Sequence, residues 1–194
     1  MAIITTDIFK AMEVLLDDDI IGLPTETVYG LAGNIFNEKA IQKIYAVKQR
    51  PSFNPLIVHL HYIHQLSIVA KNIPDIALTL AEKFWPGPLT LVLEKQEYIS
   101  DSVTGGKKTI AVRIPNHPLT LDLLKNFNLP LAAPSANPFK AVSPTTAQQV
   151  YQYFKDDIQL ILEGGACEKG VESTIIGFEN NRPILLRHGA IDIE

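Results

Sequence analysis

Ile20-Ile-Gly-Leu-Pro-Thr-Glu-Thr-Val-Tyr-Gly30 begins as a short apolar run and turns, at Pro24, into a segment dense in hydroxyls. The run Ile20 to Leu23 reads as a buried strand, and the polar stretch after it as a strand-end loop. Upstream, Ile8, Ala11, Met12, Leu15 and Leu16 recur at helical spacing. They predict a helix over residues 5–18 with Thr5 or Thr6 as N-cap. Downstream, Ile41, Ile44 and Tyr45 predict a second helix over 38–48. A strand flanked by helices, with its polar groups gathered at one end, is the repeating unit of an α/β protein.

The rest of the chain keeps this rhythm. Strands are expected at 56–61, 89–94, 109–114, 129–133, 158–162, 173–178 and 183–187. Helices are expected at 74–85 and 118–127, with another starting at Ser143-Pro144, where a serine cap precedes a proline. The polar turn Glu179-Asn-Asn-Arg182 predicts that the last two strands pair antiparallel. No repeat, linker or composition break appears, so the expectation is one α/β domain over residues 1–194, built on a mixed sheet.

Composition narrows the function classes. Hydrophobic residues make up 46% and charged residues 20%, the balance of a soluble globular chain. The formal net charge is −4, so affinity for an anion has to come from a local basic patch. No basic n-region followed by an apolar core opens the chain. No apolar run reaches the roughly 20 residues of a membrane span. The expectation is a cytoplasmic protein with no membrane contact. A single cysteine, Cys167, excludes an internal disulfide and a cysteine-based zinc site.

Three polar loops carry the chemistry. Thr25, Glu26 and Thr27 follow the first strand, and a threonine hydroxyl both donates and accepts. Turn capping explains the same residues. Lys48 and Arg50 precede a loop stiffened by Pro51 and Pro55 and carrying Asn54; two cations and an amide suit a polyphosphate, although cations also favour a helix C-terminus. Ser135 and Asn137 follow the apolar 129–133 run without the glycines of a nucleophile elbow, so Ser135 reads as a ligand-binding hydroxyl. Ser143 serves equally as an N-cap.

Arg113 and Arg187 end apolar strands and each requires an anion. Asp101 and Asp122, the acidic residues nearest Arg113 in sequence, are placed for solvent, so Arg113 is expected partly solvated and unpaired within the core. His59 and His61 form a His-x-His pair without a convincing third ligand, which argues against a metal held by protein side chains. Cys167 reads as an inert small residue. Neither common glycine-rich phosphate loop is present. The residues alone thus lead to an α/β protein with a site for a phosphate and a small polar ligand.

At these positions the chain resembles the L-threonylcarbamoyladenylate synthase family, whose domain is called YrdC-like. The resemblance runs from about residue 8 to 192. It rests on Leu23-Pro-Thr-Glu-Thr-Val-Tyr-Gly-Leu31, the Lys-x-Arg of Lys48 and Arg50, Trp85-Pro-Gly-Pro-Leu-Thr90 and Val112-Arg-Ile-Pro115. It continues through the Ser-x-Asn of Ser135 and Asn137, Ser143-Pro-Thr145, Gly170-Val-Glu-Ser-Thr-Ile175 and Leu186-Arg187.

The resemblance implies a twisted mixed sheet with surrounding helices and a concave, positively charged face. It implies that L-threonine, bicarbonate and ATP are joined into threonylcarbamoyl-AMP with release of pyrophosphate. A tRNA threonylcarbamoyltransferase complex downstream would then modify adenosine 37 of tRNA. Thr27, His59, Arg113, Ala133 and Ser173 match the threonine-binding set. Arg50, Asn54, Thr109, Ser135, Asn137, Ser143 and Arg187 match the ATP-binding set. Lys48 and Arg50 are implied as the catalytic cations covering the triphosphate, with Mg2+ held mainly by phosphate oxygens.

Two departures stand out: Pro138-Phe-Lys-Ala-Val142 replaces a small, basic, glycine-containing stretch, and the chain is expected to lack the extra C-terminal domain of longer members. The competing readings are a double-stranded RNA-binding module on the concave face and a paralogue with another acyl-adenylate activity.

Overall fold

The computed structural model describes residues 1–191. Its centre is an eleven-stranded mixed sheet. The strands are β1 (Ile3–Thr5), β2 (Ile21–Leu23), β3 (Gly30–Asn34), β4 (Ile57–His59), β5 (Ala70–Lys71), β6 (Leu89–Lys95), β7 (Thr109–Arg113), β8 (Leu131–Ala132), β9 (Leu160–Leu162), β10 (Thr174–Glu179) and β11 (Arg182–Arg187). They run in the order β1-β9-β2-β3-β8-β4-β7-β6-β10-β11, with β5 paired to β6. The sheet mixes parallel pairs (β1 with β9, β2 with β9, β4 with β7, β6 with β10) with antiparallel ones. As expected, β10 and β11 form an antiparallel hairpin. Its turn places Asn180 and Asn181 at positive φ, a conformation asparagine tolerates.

The helices are α1 (Ile8–Leu16), α2 (Glu38–Lys48), α3 (Leu66–Val69), α4 (Asp75–Phe84), α5 (Asp101–Thr104), α6 (Pro118–Phe127) and α7 (Ala147–Phe154). Strand alternation divides the apolar residues between two cores. Ile21 and Leu23 of β2 pack with Ile8, Leu15, Leu123 and Phe127 of α1 and α6. Ile20 packs instead with Ile41, Ile44, Val150 and Phe154 of α2 and α7. Leu23 is fully buried, so truncation to alanine is expected to cost about 2–5 kcal/mol.

Several boundaries differ from expectation, each for a physical reason. The N-cap of α1 is Asp7, whose Oδ1 accepts from the Phe9 and Lys10 amides at 3.0 and 3.3 Å. Thr5 is unavailable as cap because it pairs with Leu162 in β1. Helix α7 starts at Ala147 and not at Ser143-Pro144; Thr146 and Gln149 form a reciprocal capping box there. Residues 144 and 145 are committed elsewhere, since the Tyr29 amide donates to Pro144 O and the Cys167 amide to Thr145 O. Strands β1, β3 and β5 and the short helices α3 and α5 were not anticipated. β3, Gly30-Leu-Ala-Gly-Asn34, contains no β-branched residue and is held by backbone pairing to β2 and β8. Among the described residues, no helix is long and apolar enough to cross a membrane.

Candidate functional site

One face of β4 and β7 is turned to the core and the other to a cavity of about 420 Å³. Val58, Ile110 and Val112 enter the core. With a period of two, Ile57 and His59 of β4, and Thr109, Ala111 and Arg113 of β7, line the cavity floor. Three distant loops wall it because their backbones bond to one another. Gly30 bridges Ser135, the Ala136 amide donates to Tyr29 O, and the Lys169 and Gly170 amides donate to Glu26 O and Thr27 O. Among the described residues, four cations line the cavity, Arg50, Lys107, Arg113 and Arg187, against one carboxylate, Glu172.

The buried end is built around Arg113. Its side chain is 4% exposed, and its Nη2 lies 2.6 Å from Glu26 Oε1, equally buried. Nε donates to Gly87 O at 3.1 Å and Nη1 to Thr27 Oγ1 at 2.9 Å. The Glu26 carboxylate is held in turn by the Asn116 amide at Oε2, 3.0 Å away. The sequence expectation for Arg113 is thereby corrected: it is paired and buried, with a partner 87 positions upstream, although it still lines the cavity. The 2.6 Å contact is an ion pair without good hydrogen-bond alignment, so both atoms keep bonding capacity.

Thr25 Oγ1 donates to Val28 O at 2.6 Å. The proton in the 2.8 Å contact between Thr25 and Thr27 therefore comes from Thr27. Having also accepted from Arg113, Thr27 Oγ1 offers an incoming ligand one acceptor site and no donor. His59 faces Arg113 across the β4–β7 register. Burial, with Arg113 beside it, pushes its pKa down to about 3, so the ring is neutral at physiological pH. Its buried Nδ1 has no hydrogen-bond partner and is free for a ligand. Ala133 and Ser173 complete this wall, with Ser173 Oγ 2.7 Å from Thr90 Oγ1.

The open end carries Arg50, Lys107, Thr109, Ser135 and Arg187. Gln49 ends α2 in the left-handed region and swings the chain so that Arg50 reaches the cavity. Arg50 Nη2 donates to Pro55 O at 2.9 Å and Nε to Asn54 O at 3.3 Å. Gly105 allows this loop to pack tightly: its φ is +61°, and a Cβ there would lie 2.4 Å from Phe53 O. Arg187 Nη1 meets Glu172 Oε2 at 2.5 Å, while Nε and Nη2 donate to Ser173 O.

Other expected residues lie behind the lining. Lys48 is 1% exposed, and its Nζ donates to Ser135 O and Asn137 O, both at 2.5 Å. The expectation that Lys48 covers a triphosphate is corrected: it braces the loop that presents Ser135. Burial, with Arg50 nearby, brings its pKa down to about 7. Asn137 spends its amide on Pro138 O and Ala141 O, closing the 138–141 turn. Asn54 contributes its carbonyl, and Ser143 reaches Glu172 from outside the lining. Cys167 has its pKa raised to about 11 by burial, which removes the thiolate a nucleophile needs.

Three residues were missed in the sequence. Glu26 was legible as a carboxylate between two threonines after an apolar strand, a position that demands a cation. Lys107 follows Gly105-Gly106 immediately before β7. Glu172 had no local signal. Among the described residues, no group of three or more His, Cys, Asp or Glu side chains is placed to hold a metal ion.

The Sua5/YciO/YrdC family model, described as telomere recombination, matches residues 13–189. A threonylcarbamoyl-AMP synthase of Pyrococcus abyssi is 46% identical over 175 residues, which is 90% of this chain and 52% of that protein. A threonylcarbamoyl-AMP synthase of Bacillus subtilis is 45% identical over 188 residues, 96% of this chain and 54% of that protein. This chain thus spans about half the length of these curated relatives. The crystal structure of P. abyssi Sua5 complexed with L-threonine matches with a TM-score of 0.93 at 42% identity, covering 97% of this chain and 57% of that one. Escherichia coli YciO, at 22% identity and a TM-score of 0.88 over 99% of this chain, shares the fold. With a matching model across most of its length and relatives this similar, the chain belongs to the Sua5/YciO/YrdC family.

Proposed function

We propose that this chain condenses L-threonine, bicarbonate and ATP into threonylcarbamoyl-AMP, releasing pyrophosphate. The observation that carries the reading is the division of one cavity into a buried, hydroxyl-rich end around Arg113 and an open, cation-rich end around Arg50, Lys107 and Arg187. L-Threonine has one carboxylate, one amine and one hydroxyl to satisfy; a triphosphate brings several charges that remain partly hydrated. Relatives named threonylcarbamoyl-AMP synthases, and the P. abyssi structure with L-threonine, support the same assignment.

In this reading Arg113 takes the threonine carboxylate. The substrate hydroxyl donates to Thr27, which has only an acceptor to offer. Neutral His59 can meet a carboxylate-bearing ligand as a hydrogen-bonding group without adding charge. The amine of threonine and bicarbonate form a carbamate with loss of water. A carbamate oxygen then bonds to the α-phosphorus as the bond from that phosphorus to the bridging oxygen breaks, and pyrophosphate leaves. The protein needs no covalent intermediate, and its contribution is orientation and charge stabilisation. Arg50, Lys107 and Arg187 face the charge that develops on the leaving pyrophosphate. Mg2+, bound through phosphate oxygens and water, would supply further neutralisation. The product is an activated acyl donor, so the consuming reaction is acyl transfer to a nucleophile, which the sequence resemblance implies is tRNA.

Mass spectrometry of the mixture formed from ATP, bicarbonate and L-threonine tests the reading. The expected outcome is threonylcarbamoyl-AMP that disappears when threonine is omitted; AMP and pyrophosphate formed equally without threonine would refute it.

A further inference from the structure

Among the described residues, Glu172 is the one carboxylate lining the cavity, and it is paired with a cation of the open end. Oε2 meets Arg187 Nη1 at 2.5 Å, and Oε1 lies 3.2 Å from Ser143 Oγ. Its field reaches further. Burial lowers the pKa of both Lys48 and Arg50, and the charge on Glu172 opposes the shift at each.

Two roles fit a carboxylate in this position. It could fix Arg187 in place, or it could occupy a site that an anionic ligand takes over. The contacts separate them. Arg187 is already fixed from the other side: Nε and Nη2 donate to Ser173 O at 3.1 and 2.9 Å, and Nη2 also donates to Ser173 Oγ at 3.1 Å. Only Nη1 depends on Glu172, and Nη1 is the donor left for a ligand. The pair is also poorly suited to a structural task. The two side chains are 34% and 39% exposed, and pairs this accessible to water contribute little to stability.

We propose that Glu172 is an intramolecular competitor for polyphosphate: its carboxylate holds Arg187 and Ser143 until several phosphate charges displace it, and it takes them back when pyrophosphate leaves. The inference rests on the functional reading above for the identity of the phosphate ligand, and on the contacts alone for the competition. One carboxylate is a weak rival for a triphosphate and a stronger one for a single phosphate. Glu172 therefore sets how many phosphates a ligand must carry to enter.

The test is calorimetric titration of the whole chain and its Glu172→Gln variant with inorganic tripolyphosphate, inorganic phosphate, ATP and L-threonine. Glutamine keeps the shape and an acceptor oxygen but removes the charge. Glu172→Gln is expected to bind tripolyphosphate and ATP about three- to tenfold more tightly. Inorganic phosphate should gain by a similar factor, since displacing the same carboxylate costs each phosphate ligand alike, while L-threonine affinity should change less than about twofold and the melting curve should be unmoved. Unchanged or weaker tripolyphosphate binding in a folded Glu172→Gln variant overturns the proposal and makes Glu172 a residue that orients Arg187 or the ligand. Absence of tripolyphosphate binding to either protein also overturns it. Tighter tripolyphosphate binding, together with no binding of ATP and L-threonine to either protein, supports the competitor and refutes the functional reading.

Discussion

Two arginine–glutamate pairs face the same cavity and behave differently because of where they lie. Arg113 and Glu26 are each 4% exposed, and their further hydrogen-bond partners are backbone groups and the Thr27 hydroxyl. Arg187 and Glu172 are roughly a third exposed, and the cavity is open around them. Two charges withdrawn from water must stay together, since separating them leaves one buried and uncompensated. Two charges at a rim exchange partners at little cost. In the proposed function the buried pair would therefore act as a preorganised clamp for one small ligand, and the rim pair as an exchangeable contact for a larger, hydrated one.

The sharpest way to break this comparison is to remove the buried partner. Glu26→Ala leaves the Arg113 guanidinium uncompensated, with an expected loss of about 3–5 kcal/mol in urea unfolding. Removing the rim partner, by Glu172→Ala, should cost less than about 1 kcal/mol in the same experiment. Equal losses would show that exposure does not separate the pairs.

Removing the arginines tests the ligand side. Arg113→Ala is expected to weaken L-threonine binding by about 2–5 kcal/mol and to leave ATP binding largely intact. Arg113→Lys should recover little, because an ammonium cannot reproduce the guanidinium fork. Arg187→Ala is expected to weaken ATP binding by about 1.5–3 kcal/mol and to spare L-threonine. Calorimetry with both ligands on both variants checks the crossing; a pattern in which each arginine affects both ligands alike contradicts the division.

The last prediction is a slope with pH and concerns the brace behind the open end. Lys48 is buried with a pKa near 7 in the folded chain, against an ordinary value of 10.5 when exposed. Between these two values the unfolded chain binds the extra proton, so stability should rise with pH across that window. The slope can be no steeper than about 1.4 kcal/mol per pH unit. Below pH 7 both states are protonated, and the cost of burying the charge is fully present. Unfolding at several pH values, with Lys48→Met as reference, reads the difference. A pH-independent gap between the two proteins would show that the two carbonyl acceptors offset the burial.

The parts of this arrangement that were legible in the sequence are the local ones. Helices α2 and α6 follow apolar periodicity and end where Gln49 and Asn128 enter the left-handed region. The β10–β11 hairpin follows from its polar turn. The cavity-lining role of Thr27, Ser135 and Arg187 was legible because polar groups at the ends of apolar strands stand at sheet ends, and that of Arg50 because it opens a proline-stiffened loop. What stayed hidden depends on contacts between distant segments. The 87-residue separation of Glu26 and Arg113 conceals their pairing. Lys48 resembled a free cation because nothing local reveals that Ser135 and Asn137 carbonyls close over it. The start of α7 was misplaced because Pro144 and Thr145 serve other backbones. Strand β3 exists through its neighbours and not through its own residues.

The central claim is that L-threonine occupies the buried end and the triphosphate the open end of one cavity. A crystal structure of the whole chain with L-threonine and a non-hydrolysable ATP analogue tests it most directly. The account predicts the amino-acid carboxylate on Arg113, its hydroxyl on Thr27, the phosphates against Arg50 and Arg187, and the Glu172 carboxylate turned away from Arg187. Phosphates on Arg113, or threonine held at Arg187 with the Arg113–Glu26 pocket excluded from contact, would contradict it.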